Sequence, residues 1–427
     1  MIDKEGKSLV DYHRVYEAAF GFKKTQLWKK LYDSQLFALR FSDGGIGYCC
    51  VMGKAGRFTA LAVYPGSEGL ESYRRMSAAD LDEDEFDGHE IMLSQNCLMC
   101  SFESKDDLHP EALKNVKAYC AKNNISPRGA NAYPNLIIHK PEMYPWPVKE
   151  EADIIRLCEA LDAAVEVARR MQDASAKRLG FTEGLPYDRY IPLLEKQGDS
   201  YGWSALPLPE PQAEEDYPSP RAIDELALGR VKRSKKKGGV WGCDVILHKD
   251  PVSHDEEAIR LGKMPEKAPY FPRLMIIVDC DTGLLINMSL AKDTGDYAEE
   301  FARQVLDTAK KEGRPQTILV KRMRALSLFA PLAEAMGTDI VFVEDIPALD
   351  EAEADYANAF GQGDEDGAGV SDFELDQLAQ FFEDKEAIKS MPDNLLDEML
   401  GLSALGILRD EWKTALLKER EKRKSRR

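Results

Sequence analysis

The residue types that most readily do chemistry are few in this chain and widely spaced. Cys97 and Cys100 form a C-x-x-C within IMLSQNCLMCSF. That stretch reads as a strand, and residues three apart on a strand point to opposite faces, so the two thiols cannot share a metal. No second C-x-x-C completes a zinc site. The other cysteines, Cys49, Cys50, Cys120, Cys158, Cys243 and Cys280, sit mostly among apolar neighbours and read as buried free thiols. The histidines (His13, His89, His109, His139, His248 and His254) are scattered, with no H-x-x-x-H pair. There is no G-x-x-x-x-G-K-[ST], no G-x-G-x-x-G after a strand and no G-x-S-x-G elbow, so phosphate-loop and serine-esterase chemistry have no support. The acidic DLDEDEFD at 80–87 lacks the glycine and final glutamate of a calcium loop and reads as a solvated charge run. No metal and no cofactor are expected.

Two further groups could bind rather than react. Arg230, Lys232, Arg233, Lys235, Lys236 and Lys237 put six cations in eight residues. They read as a solvated linker, with nucleic-acid contact as the sharper alternative; little aromatic interleaving is present for stacking single strands. Tyr144-Pro145-Trp146-Pro147 is an aromatic and proline cluster, and Trp146, Tyr133 and His139 are the first candidates to line any pocket.

The elements that must hold these residues follow from periodicity. Residues 8–34 read as a helix, then LFALRF, GIGYCCVMG and FTALAVY as short strands, with Asp43-Gly44-Gly45 as a hairpin turn. SEGLESYRRM reads as a helix, His89–Phe102 as one long strand, HPEALKNVKAYCAKNN as a helix and YPNLIIHK as a strand. Glu150–Arg178 reads as a long amphipathic helix, its apolar face formed by Ile154, Leu157, Leu161, Val165, Val167 and Met171. Five prolines in 200–222 argue against regular structure there. From Val240 onward the order is β-β-β-α-β-α-β, which implies a mixed sheet with helices on its faces.

The expected fold class is therefore α/β (α+β): two mixed-sheet domains with packed helices, plus a C-terminal helical extension. The divisions are 1–180, a proline-rich and basic linker over 181–239, a second domain over 240–360, and an acidic loop with a helical tail over 361–427. Within that tail Phe373, Leu375, Leu378, Phe381, Phe382, Leu396 and Leu400 recur at helical spacing, which suggests a face for a protein partner.

The second half resembles the ribonuclease H-like fold of integrases and transposases. Its strand succession carries the resemblance, together with Trp241-Gly242-Cys243-Asp244, Glu299-Glu300 and Gly313-Arg314-Pro315. The resemblance implies that Asp244 stands where that fold keeps its first metal-binding carboxylate, with Glu299 or Glu300 as further acids. It departs at the end of the fourth strand, where an acid belongs and Val320-Lys321-Arg322 stands. Asp350, Glu351, Glu353 or Asp355 could stand in for a later acid. Cations at 321 and 322 would repel a metal pair, so the expectation is a non-catalytic domain in which Lys321 pairs with Asp244.

The whole chain also resembles an uncharacterised bacterial family with two domains of unknown function, on LFALRF, ALAVYPGSEGL, NAYPNLIIHKPEMYPWPV, GRPQTILVKRMRALSLFAPLAEAMG and VFVEDIPALDEA. That resemblance implies architecture and no mechanism.

Composition sets outer limits. The 427 residues carry 57 Lys or Arg against 75 Asp or Glu, net −18, which disfavours a general nucleic-acid coat. No apolar run approaches a membrane span, and the opening MIDKEGKSLVDYHRVY has no apolar stretch for a secretory signal. A cytoplasmic protein without membrane contact is expected. The leading reading is a non-catalytic binding or interaction protein with an unknown protein partner. The alternatives are an integrase-like or degenerate nucleic-acid-processing protein, and a small-molecule enzyme using a pocket between domains.

Overall fold

In a computed structural model, the described residues are 12–54, 58–78, 85–129, 131–182, 189–211, 217–255, 265, 267–291 and 297–360, with the isolated residues 418 and 422. The chain forms two compact units that divide between Asp216 and Tyr217. Both are mixed α/β units. No helix among the described residues is long and apolar enough to cross a membrane.

The first unit is built on eight strands: β1 (Phe37–Arg40), β2 (Ile46–Met52), β3 (Ala60–Pro65), β4 (Cys97–Glu103), β5 (Tyr133–His139), β6 (Trp146–Pro147), β7 (Tyr190–Gln197) and β8 (Ser200–Pro207). Their order is β6-β5-β4-β3-β2-β1-β7-β8. Every pairing is antiparallel except the seam between β1 and β7, where Ala38, Leu39 and Arg40 lie beside Leu193, Leu194 and Glu195. Alternation along the strands sends Cys49, Val51, Leu61, Val63 and Cys100 to one face and Tyr48, Cys50, Ala60, Ala62 and Cys97 to the other. The larger core lies on the first face, under α1 (Tyr12–Thr25), α4 (Pro110–Lys122) and α5 (Glu151–Arg170). The smaller core takes Leu70 and Tyr73 from α2 (Gly66–Ala78).

Three expectations need correction here. The span His89–Phe102 is not one strand. Its first part closes α3 (Glu85–Leu93), and β4 begins only at Cys97. Ile91-Met92-Leu93 lacks the alternation a half-buried strand needs, and Met92 is largely exposed. The long helix also stops early. After Arg170 the chain turns, makes a short 3-10 turn at Lys177–Leu179 and closes on Gly180 with φ +87°. Most consequentially, 181–239 is not a linker. β7 and β8 are a regular hairpin turned at Gly198, and the prolines that argued against structure stand at or after the last residue of the edge strand β8, where a missing N–H costs least. The helix α6 (Glu225–Arg233), capped by the Asp224 carboxylate on the N–H groups of Leu226 and Ala227, belongs to the second unit.

The second unit holds β9 (Val240–Leu247), β10 (Arg273–Asp279), β11 (Leu284–Leu290), β12 (Thr317–Val320) and β13 (Asp339–Phe342), in the order β11-β10-β9-β12-β13. β9, β10 and β11 form an antiparallel meander, and β12 and β13 add parallel to β9. α7 (Tyr297–Glu312) and α8 (Met323–Met336) pack on one face with α6, around Trp241, Phe301 and Phe329. α9 (Pro347–Phe360) packs on β9 and β10. The elements thus follow the β-β-β-α-β-α-β order read from sequence. The expected acidic loop and helical tail lie outside the described residues.

Candidate functional site

β9 is central and buried along nearly its whole length, so any polar residue on it needs a partner. Asp244 is that residue, fully buried opposite Ile276 of β10. One of its oxygens accepts the N–H of Val245 at 2.7 Å, and the other accepts from Arg322. Arg322 stands two residues past β12 as the N-cap residue of α8, with extended backbone. Its guanidinium is also buried and donates a second bond to Glu353 Oε1 at 3.2 Å. Glu353 comes from the face of α9 turned to the sheet and takes Lys321 Nζ at 2.8 Å on its other oxygen. Lys321 reaches a third acid, Asp350, one turn earlier on α9 and at the solvent rim.

The site is therefore a chain of alternating charge, Asp244–Arg322–Glu353–Lys321–Asp350, closed between a strand, a strand end and a helix. Its buried members Asp244, Arg322 and Glu353 and the half-buried Lys321 balance as two acids and two cations. Burial raises the Asp244 carboxyl well above the usual carboxylate range; Arg322 opposes that and Glu353 adds to it. Burial works to lower Lys321, but its bonds to Asp350 and Glu353 prevail and raise it. Close by, Tyr356 on the next turn of α9 accepts the N–H of Lys249 and meets His248 edge-on.

The expected partner of Asp244 was Lys321, and the structure replaces it by Arg322. β12 ends at Val320, so the two residues beyond it leave the alternation that would have assigned their faces. Of the four acids open as a later ligand, Glu353 is the one that shares Arg322 with Asp244, and Asp350 joins at the rim through Lys321. Glu299 instead accepts the backbone N–H of Arg221 at 2.7 Å, before α6, with Glu300 beside it in the first turn of α7. Among the described residues, no group of three or more His, Cys, Asp or Glu could hold a metal ion.

The basic run lies elsewhere. Arg230, Lys232 and Arg233 end α6, and Lys235, Lys236 and Lys237 lead into β9; all six are exposed. The expectation of an open linker fails at Val231, which is buried in the second core.

Tyr133, His139 and Trp146 do not form a common pocket. His139 pairs with Cys97 and so shares the face of the smaller core, whereas Trp146 pairs with Ile138, which packs on the larger one. Tyr133 packs against the larger core. His139 Nε2 and Trp146 Nε1 are both buried and find no hydrogen-bond partner among the described residues, and burial pushes His139 down to about 4. Cys97 and Cys100 face opposite cores as their spacing requires, and burial pushes Cys97 up to about 12 and Cys100 higher still. Both thiols are buried on opposite faces of β4, so the geometry gives the redox reading no support.

No curated protein matches the chain. Residues 12–184 match the family model described as Domain of unknown function (DUF7309), and residues 227–357 match Domain of unknown function (DUF6930), so the first unit is similar to one such domain and the second to another.

Proposed function

We propose that the second unit is a non-cleaving relative of the ribonuclease H-like fold, and that the protein acts by binding rather than by catalysis. Numbered within the unit, its strands lie in the order 3-2-1-4-5, with the first three antiparallel and the last two parallel to the first. The observation that carries the reading is the guanidinium of Arg322 held between Asp244 and Glu353. Asp244 on the first strand and Glu353 on the last helix are two acids of the kind a metal pair needs. The space between them is taken by a fixed cation. A divalent ion about 4 Å from that guanidinium would meet a repulsion of roughly 8 kcal/mol at an effective dielectric of 20. Lys321 takes the remaining oxygen of Glu353, so displacing one cation leaves the other in place.

The test is calorimetry with magnesium and manganese alongside cleavage assays on single- and double-stranded DNA and RNA. The expected result is no metal binding tighter than millimolar at this site and no cleavage. Micromolar binding of two metals, with cleavage lost in Asp244→Asn, would overturn it in favour of an active nuclease.

A further inference from the structure

The chain's net charge of −18 is unevenly placed. Residues 217–343 carry 20 Lys or Arg against 18 Asp or Glu, net +2, whereas Glu344–Glu386 alone carries 15 acids and one lysine. The six acids of 344–360 belong to the same unit and bring residues 217–360 to 20 cations against 24 acids, so the second unit is not basic as a whole; its cations are instead concentrated.

The structure concentrates them further than the sequence does. Lys236 Nζ donates to the carbonyl of Lys311 at 2.6 Å and lies 3.4 Å from Glu312. Gly238 N–H donates to the carbonyl of Arg314 at 2.7 Å, and Lys237 pairs with Arg314 as an isolated bridge. Two glycines permit this approach. A Cβ on Gly238 would stand 2.9 Å from the carbonyl oxygen of Gly313, and one on Gly313 would stand 2.7 Å from the nitrogen of Gly238. The run from α6 is thus pressed against the end of α7, where Lys310 and Lys311 are exposed. Residues 230–237 and 310–314 together present nine Lys or Arg against one acid, Glu312.

These cations differ in kind from Lys321 and Arg322. Arg230, Lys232, Lys235, Lys237, Lys310 and Lys311 are exposed and make no ion pair among the described residues. The patch also lies at the opposite end of the sheet. It precedes the starts of β9 and β12, whereas Lys321 and Arg322 follow the end of β12.

We infer that this α6–α7 patch is a binding site for the phosphate backbone of duplex nucleic acid, read without regard to sequence. Two strands of chain fixed side by side hold the cations in a two-dimensional array before any ligand arrives, so little ordering is required on binding. Residues 222–239 contain no aromatic side chain on which an unpaired base could stack, which favours a duplex over a single strand. The assignment rests on the binding reading above and supplies its ligand class.

Fluorescence anisotropy of the full-length protein with a labelled 20-base-pair DNA duplex tests it, with an unlabelled single strand of equal length and poly-glutamate as competitors. With at least six phosphates engaged, affinity should fall roughly 1,000-fold between 50 and 200 mM salt. Lys232→Gln/Lys235→Gln/Lys237→Gln should reduce the log–log salt slope by about three, and Lys310→Gln/Lys311→Gln by about two. Lys114→Gln/Lys117→Gln on α4 should leave it unchanged. Circular dichroism melting of each variant confirms that the fold is kept. No binding at 50 mM salt, a slope insensitive to both patch variants, or displacement by poly-glutamate or single strand at lower concentration than by duplex would each overturn the proposal. Recovery of intact duplex after incubation with magnesium is scored separately. Cleavage would sink the non-catalytic reading and leave the patch standing, whereas absent binding would do the reverse.

Discussion

Arg322 serves two carboxylates with one guanidinium, and both of those carboxylates are buried. Arg322→Met would leave Asp244 without its cation and Glu353 with Lys321 alone. Urea unfolding should show a loss of about 3–5 kcal/mol. Asp244→Leu/Arg322→Met should lose less than that single variant, because no unpaired charge then remains on β9. A second residue-scale prediction concerns His139, whose folded pKa of about 4 lies below the ordinary imidazole value of 6.5. The unfolded chain therefore takes up this proton first as pH falls. The stability contributed by neutral His139 is complete above about pH 6.5 and is lost progressively down to about pH 4. The total is roughly 2–3 kcal/mol, an upper range because part of the ring meets solvent. Unfolding curves between pH 7 and 4 should show this slope, and His139→Phe should flatten it. At this scale the sequence was informative about which residues mattered and poor on their partners. Asp244, Lys321, Arg322 and Glu353 all stood out by type and position. Which cation met Asp244 depended on two residues past a strand end, where side-chain direction follows the local turn.

At the scale of elements, the turn that leads into α9 packs on β9 because Gly242 has no side chain. A Cβ there would stand 2.9 Å from Ile346 Cγ2, 3.0 Å from Val278 Cγ2 and 3.1 Å from Cys280 Sγ. Gly242→Ala should cost about 1–3 kcal/mol by overpacking. Ile346→Ala leaves a cavity in the same place, so the double variant should cost less than the two single losses added; a thermal-melting cycle measures the difference. Elements with strong periodicity were legible from sequence alone, α7 and the β9–β10–β11 meander among them. Those misread had weak or conflicting signals. The residues of α3 lack a clear period of either kind, and the proline content after Pro207 hid the regular hairpin before it. The basic run was visible, but its continuation at Lys310 and Lys311 was not, since 75 residues separate Lys236 from Lys311.

At the scale of the whole molecule, the first unit extends beyond the residues its family match covers. The match ends at 184, whereas β7 and β8 run to Pro207. A fragment of residues 1–211 should melt cooperatively and stay monomeric. A fragment of 1–184 should aggregate or bind a hydrophobic dye, because β1 would become a bare edge carrying Phe37, Ala38 and Leu39. Gel filtration of the two fragments decides between this boundary and the shorter one.

The seam between β1 and β7 also sets a timetable for the growing chain. Arg40 and Glu195, paired across it, are 155 residues apart. At ordinary synthesis rates of about 5–20 residues per second, β1 leaves the ribosome roughly 10–30 s before β7 exists. The local hairpins β1–β2 and β2–β3 can close in microseconds, so through that interval a twisted apolar sheet stands with one side open. The wait is imposed by topology, because a parallel partner must come from a distant crossover. Cotranslational chaperone occupancy should therefore peak while residues 66–190 are being made and fall once the β7–β8 hairpin has cleared the exit tunnel.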